Sequence, residues 1–208
     1  MPRKSDAAAS VVEELAPTTS AGAARSRIVH AALAEFTEYG MRRVSVDDIA
    51  KRAGLHRVTV YKHFKNKDEV VRAAVLTWAQ EFFARIAAAV DGNSREDVLV
   101  EGFVASVRRM REDPLVSRVL ASEPEVLLPH VTVDGGGALA AVRDFFAAQL
   151  RAAKPGRRGR AEVDLDAVAE LVARTGLSFV LTPQSHIATR TDDEVREFAR
   201  KYLAPMLG

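Results

Sequence analysis

Within His56-Arg57-Val58-Thr59-Val60-Tyr61-Lys62-His63-Phe64 the polar side chains are of the kinds that meet nucleic acid. Arg57 carries a planar fork of donors that matches guanine O6 and N7. Thr59 suits a phosphate oxygen or a thymine methyl. Tyr61, Lys62 and His63 can reach phosphates or base edges. Val60 and Phe64, spaced i,i+4, share the opposite face and point to a small core. Tyr61 admits two readings, a core aromatic or a DNA contact, and its place between Val60 and two basic residues favours contact. Lys62, Lys65 and Lys67 would be an ordinary solvated face in another setting. Lys67 stands where a new helix opens, and the free amides of a helix start attract an anion. Arg42 and Arg43, just upstream, face either solvent or phosphate.

Other chemistries find no purchase. The chain has no cysteine, which excludes disulfides and thiolate metal sites. None of the five histidines follows a glutamate by three positions, as helical di-metal sites require. No His-Glu-x-x-His, Gly-x-Ser-x-Gly or phosphate-binding Gly-rich loop occurs. No catalytic residue, metal or cofactor is therefore expected, and an enzyme is disfavoured. A helical adaptor without DNA is the remaining competitor, and the basic segment argues against it.

The elements that must place Arg57 and its neighbours are legible. A helix begins near Arg25, with Ile28, Ala31, Ala32 and Phe36 on one face. Gly40 fits the left-handed position after a helix end. Ser45-Val46-Asp47-Asp48 reads as a capped start, with acidic residues at the positive end of the helix dipole. Val46, Ile49 and Ala50 face inward. Gly54 permits a tight turn, and a short helix runs from Arg57 to His63. Asn66-Lys67-Asp68-Glu69 opens a long helix to about Val90. Two short helices about a glycine turn can set one of them in a major groove roughly 12 Å wide.

Ser45-Val46-Asp47-Asp48-Ile49-Ala50-Lys51-Arg52-Ala53-Gly54-Leu55, followed by Thr59-Val60-Tyr61-Lys62-His63-Phe64-Lys65-Asn66-Lys67-Asp68, resembles the DNA-binding signature of the TetR/AcrR family of transcriptional regulators. The likeness runs from Arg25 to Val70 and is specific in residue type and spacing. It implies a three-helix DNA-binding domain and a larger helical domain that binds a small effector and dimerises. It implies that Thr59, Tyr61, His63 and Lys67 touch phosphates, with Arg57, Val58 and Tyr61 near bases. One position departs: the family often has Ser or Thr before the recognition helix, and this chain has His56. Histidine is a poorer cap, so either the helix is capped otherwise or His56 itself faces DNA. The expected DNA-binding set is Arg42, Arg43, Ser45, His56, Arg57, Val58, Thr59, Tyr61, Lys62, His63 and Lys67.

Beyond Val90 the pattern is helical throughout, near 94–112, 114–123, 137–153, 164–182 and 192–206. Breaks are expected at Asp91-Gly92-Asn93, Asp113-Pro114, Pro124 and Pro129, with a looser stretch from Val131 to Gly137. The plainest linker is Lys154-Pro155-Gly156-Arg157-Arg158-Gly159-Arg160. Trp78, Phe82, Phe83, Phe103, Met110, Phe145, Phe146 and Phe179 are core residues or, as a group, the lining of an apolar effector cavity. His130, Gln184 and His186 are weaker candidates for polar contacts there. The last two helices present Leu165, Val168, Leu171, Val172, Val195, Phe198, Tyr202 and Leu203. That is more apolar surface than one inner face needs, and the resemblance implies a four-helix homodimer interface, with Val168, Leu171, Val172, Val195, Phe198 and Tyr202 as its candidates.

The bulk numbers agree. Residues 1–67 hold 12 Lys/Arg against 7 Asp/Glu, and residues 68–208 hold 18 against 21. A basic front on an acidic body suits a polyanion gripped at one end. Residues 1–20 read as a flexible segment without a secretory pattern, 21–68 as the DNA-binding domain and 69–208 as the effector and dimerisation domain. No stretch reaches 18 uninterrupted apolar residues, so no membrane span is expected. The expectation is an all-α, cytoplasmic, ligand-responsive repressor on double-stranded operator DNA, with a small, largely apolar effector.

Overall fold

The structure, a computed structural model, describes residues 20–90, 94–154 and 163–208. The described residues form helices and no strand: α1 (Ser20–Tyr39), α2 (Val46–Arg52), α3 (Arg57–His63), α4 (Lys67–Val90), α5 (Arg95–Glu112), α6 (Pro114–Ser122), α7 (Pro124–Val131), α8 (Gly136–Ala152), α9 (Leu165–Leu181) and α10 (Asp192–Phe198). The expected flexible segment before Ser20, the break at Asp91–Asn93 and most of the basic linker lie outside the described residues.

Two compact units meet between Trp78 and Ala79, inside α4. In the first, α1 packs on α2, and α2 on α3. The buried residues Ile28, Ala32, Phe36, Ile49, Ala50, Val60, Phe64, Val70 and Ala74 come from all four of its helices. α1 starts at Ser20, earlier than periodicity suggests. Ala21, Ala23 and Ala24 extend it, alanine being the strongest helix former. Gly40 takes φ 88 and its N–H returns to the Phe36 carbonyl at 2.9 Å. Gly54 takes φ 63 in the turn between α2 and α3. Arg27 donates to the Ala53 carbonyl at 2.5 Å, tying α1 to that turn. Arg52 bridges Glu35 at 2.9 Å and Glu38 at 2.8 Å, which gives the buried Glu35 its counter-charge.

In the second unit α5 is the central helix. Val98, Leu99, Val100, Phe103, Val104 and Val107 are buried on several of its faces. α8 and α9 pack on each other and on α5, and α10 packs along α5. Their shared core includes Phe146, Leu150, Val168, Val172, Phe179, Val195 and Leu203. Two expectations need correcting. Pro129 does not break the chain but sits inside α7. Proline removes one N–H from a helix interior, yet α7 ends two residues later, and the Thr132 hydroxyl donates to the Leu128 carbonyl at 2.5 Å. The final helix is also not uniform. α10 passes into a π turn at Ala199–Leu203 and a 3-10 turn at Ala204–Leu207. Pro205 has no N–H to return to the preceding turn, so the α-helical ladder cannot continue through it.

By length and composition α4 could cross a membrane. Val70, Ala73, Ala74, Ile86 and Val90 on it are buried in protein.

Candidate nucleic-acid interface

α3 is seven residues long and too short to persist alone. Its fixity comes from the inward side chains, Val60 at 0% exposure and Phe64 at 3%. Arg25 lies over the Phe64 ring at 4.9 Å and covers that anchor. With Val60 and Phe64 held, the other face is turned out. Val58 is 57% exposed and Tyr61 42%, so Tyr61 is not a core aromatic. Arg57 and Lys62 are exposed, and Thr59 and His63 half-buried.

At the start of α3 stands His56. Its backbone is extended (φ −80, ψ 144) and its Nδ1 accepts from the Val58 N–H at 3.3 Å. The imidazole is the cap, filling the place of the hydroxyl often found there. Ser45 caps α2 in a reciprocal box. Its Oγ accepts from the Asp48 N–H at 3.2 Å, and its N–H donates to Asp48 Oδ2 at 2.8 Å. The Ser45 hydroxyl also donates to that carboxylate, at 2.6 Å, so both its roles are committed to the cap. These bonds hold the Asp48 carboxyl below the usual range, the side-chain bond from Ser45 being the largest cause.

Arg57 is not loose. Its Nη1 pairs with Asp47 Oδ2 at 3.1 Å, its Nη2 donates to the Tyr61 hydroxyl at 3.3 Å, and its guanidinium stands 5.3 Å from the Tyr61 ring centre. Arg57 and Tyr61 thus form one exposed plate, steered from α2 by Asp47. Sequence reasoning missed Asp47, because a first-turn acid already has a sufficient role at the helix dipole. Arg42 and Arg43 are exposed before α2. The Lys67 ammonium donates to the Arg42 carbonyl at 3.2 Å, which draws the start of α4 to that turn. Arg42, Arg57, Tyr61, Lys62 and Lys67 all belong to the first unit.

Residues 28–74 match the model of bacterial regulatory proteins of the tetR family. Residues 95–201 match that of the bacterial tetracyclin repressor C-terminal domain. The chain belongs to the TetR family. An HTH-type transcriptional regulator of Mycobacterium tuberculosis is 33% identical over 97 residues, 47% of this chain and 50% of that one. UidR of Escherichia coli, another HTH-type transcriptional regulator, is 31% identical over 87 residues, 42% of this chain and 44% of UidR. The match thus spans about half the length of these curated relatives. The crystal structure of the TetR family repressor AlkX from a Dietzia strain superposes with a TM-score of 0.63 at 23% identity, over 92% of this chain and 97% of that one. That likeness is one of fold.

In this TetR-family chain the C-terminal candidates fall into two groups. Phe103, Phe146 and Phe179 are buried in the unit's core, with Phe145 packed against it. Phe83 and Phe145 stack at 4.6 Å, and Phe82 meets Phe83 edge-on at 5.6 Å. Trp78 and Met110 are half-buried, whereas His130, Gln184 and His186 are exposed. Of the apolar residues on α9 and the last helix, Val168, Val172 and Val195 lie in the protomer's own core. Leu171 is 51% exposed and Tyr202 55%. Phe198 is half-buried and bridges Phe179 at 5.0 Å and Tyr202 at 5.2 Å.

Proposed function

We propose that this protein is a homodimeric, cytoplasmic repressor that binds double-stranded operator DNA and releases it on binding a small, largely apolar effector. The observation that carries the reading is the outward face of α3. Arg57, Val58, Tyr61 and Lys62 point away from a core fixed by Val60 and Phe64. A short helix anchored on one side and armed with a donor fork, an aromatic and a cation on the other suits a major groove. Arg57, Val58 and Tyr61 read base edges. Thr59, Lys62, His63, Lys67, Arg42 and Arg43 hold the sugar-phosphate rails, which supply affinity without sequence information.

Two copies related by a two-fold axis present two such helices to half-sites about 34–36 Å apart, or a multiple of that spacing. The C-terminal unit binds the effector between its helices, and Phe82, Phe83 and Phe145 supply apolar lining. The effector must bind the released conformer more tightly than the DNA-bound one, or it shifts nothing. A coupling of about 1–3 kcal/mol changes operator affinity roughly 5–150-fold.

The test is a mobility-shift titration against the DNA upstream of the chain's own reading frame, with selection from random duplexes in parallel. A palindromic or near-palindromic site bound by a dimer supports the reading. Binding that is equal on every duplex would sink it.

A further inference from the structure

Val58 is the most exposed apolar side chain on α3, at 57%, two residues before Val60 at 0%. It gains little there from burial, and its branched Cβ makes it a poorer helix former than alanine, lysine or glutamate. Its backbone amide is committed as well. The Val58 N–H donates to His56 Nδ1 at 3.3 Å, so it is not free to meet a phosphate. What the side chain presents outward is a pair of methyl groups.

The base edges in a major groove are polar almost throughout. Guanine shows N7 and O6, cytosine an amino group, and adenine N7 with an amino group. Thymine alone adds an apolar group, its C5 methyl. A valine pressed against any other edge would strip water from a polar atom and return no hydrogen bond. The thymine methyl is therefore the base-edge group that Val58 matches.

Arg57, the preceding residue, fixes where that methyl must lie. One of its N–H groups serves Asp47 and another the Tyr61 hydroxyl. An arginine has five such donors, so a pair remains for guanine O6 and N7. Arg57 lies in line with Tyr61, and Val58 with the exposed Lys62, each four residues on, so the two side chains do not compete for one edge. Their Cα atoms are about 3.8 Å apart and stacked bases about 3.4 Å apart, so consecutive residues at the leading end of α3 meet neighbouring base pairs.

We propose that Val58 is a specificity-determining residue, selecting a thymine methyl at the base pair next to the guanine read by Arg57. The inference rests on the operator-binding reading above and names a base step that the operator contains.

The test uses the full-length chain and the duplex recovered by selection from random sequence, at one salt concentration. Each thymine of its half-sites is replaced in turn by deoxyuridine, which removes only the methyl, and each guanine by 7-deazaguanine, which removes N7. One thymine in each half-site should lose about three- to five-fold in affinity with its methyl, the worth of one buried carbon. The neighbouring base pair should hold the guanine whose N7 matters. With 5-methylcytosine in that thymine's place, paired to guanine, binding should be tighter than with cytosine. In Val58→Ala, where alanine favours the helix, the thymine-to-deoxyuridine difference should shrink below about two-fold. Val58→Thr, which keeps one methyl, should fall between. Equal binding of thymine and deoxyuridine duplexes by the parent would overturn the proposal and leave the operator reading standing. So would an unaltered difference in Val58→Ala, or a sensitive thymine that is not beside the N7-sensitive guanine. A chain that selects no sequence at all defeats the operator reading first, and this inference with it.

Discussion

Arg57 has two sets of partners to choose between, and the choice decides what a substitution there would cost. In the free protein its guanidinium is shared between Asp47 and Tyr61. Both ends of the Asp47 pair are more than half exposed, so that pair contributes little to stability. Its value is positional: Asp47 and the Tyr61 ring confine a long, flexible side chain to one orientation. The ion pair and the bond to Tyr61, the latter the larger cause, also hold the guanidinium above its already high ordinary pKa, so it stays charged throughout. Arg57→Ala should therefore lose about 1–3 kcal/mol on the preferred operator and relax the preference at one base pair. Asp47→Asn should keep that preference but weaken it, since the fork remains while its guide is lost. Mobility-shift titrations on operators carrying each base at that position measure both. A uniform loss on all four operators with Arg57→Ala would show that the residue reads no base.

At the scale of the element, caps and anchors rather than propensity hold the reading head in place. Serine ranks among the best caps and histidine does not, so His56→Ser should match or raise unfolding stability, by roughly 0.5 kcal/mol at most. Operator affinity should stay unchanged if the imidazole only caps; a clear drop would mean it touches DNA. A second reciprocal box, Thr191 with Glu194, opens α10, and together with that of Ser45 and Asp48 it gives a pH signature. Asp48 is held below the usual carboxylate range chiefly by the Ser45 side chain, and Glu194 below it by the Thr191 and then the Arg190 backbone. A carboxylate whose pKa is lower in the folded chain stabilises it above the unfolded pKa, and that support is lost as pH falls through the folded value. The melting temperature should hold from pH 7 to about 5 and fall below about 4, the unfolded carboxylate range. Asp48→Asn with Glu194→Gln should flatten part of that fall, and an unaltered profile would place the acid sensitivity elsewhere. The elements were legible where chemistry is local: the glycines at positions 40 and 54, the box at Ser45, and the inward pair Val60 and Phe64 all follow from neighbours in sequence. What escaped is tertiary. Nothing in the string pairs Arg57 with Asp47 or Arg27 with the Ala53 carbonyl. The π turn at Ala199–Leu203 and the helix through Pro129 depend on how each backbone satisfies itself in place.

For the molecule as a whole, the proposed mechanism needs two copies, because one seven-residue helix reads too little DNA to define an operator. The apolar positions of α9 and the last helix separate into two sets. Val168, Val172 and Val195 are already spent on the protomer's own core, and replacing them would unfold the chain rather than divide a dimer. Leu171 and Tyr202 remain outside, and Tyr202 continues the ring series Phe103, Phe179 and Phe198 to the surface. A charge placed at Leu171 would be solvated in a monomer but stranded in a closed apolar interface. Leu171→Glu should therefore leave circular dichroism and melting of the isolated chain intact, halve the mass by sedimentation and weaken operator binding far more than half-site binding. The same change at Val168 should fail to give a folded monomer. A folded Leu171→Glu dimer with parental operator affinity would move the association surface off this face, and with it the spacing argument that links the two reading helices.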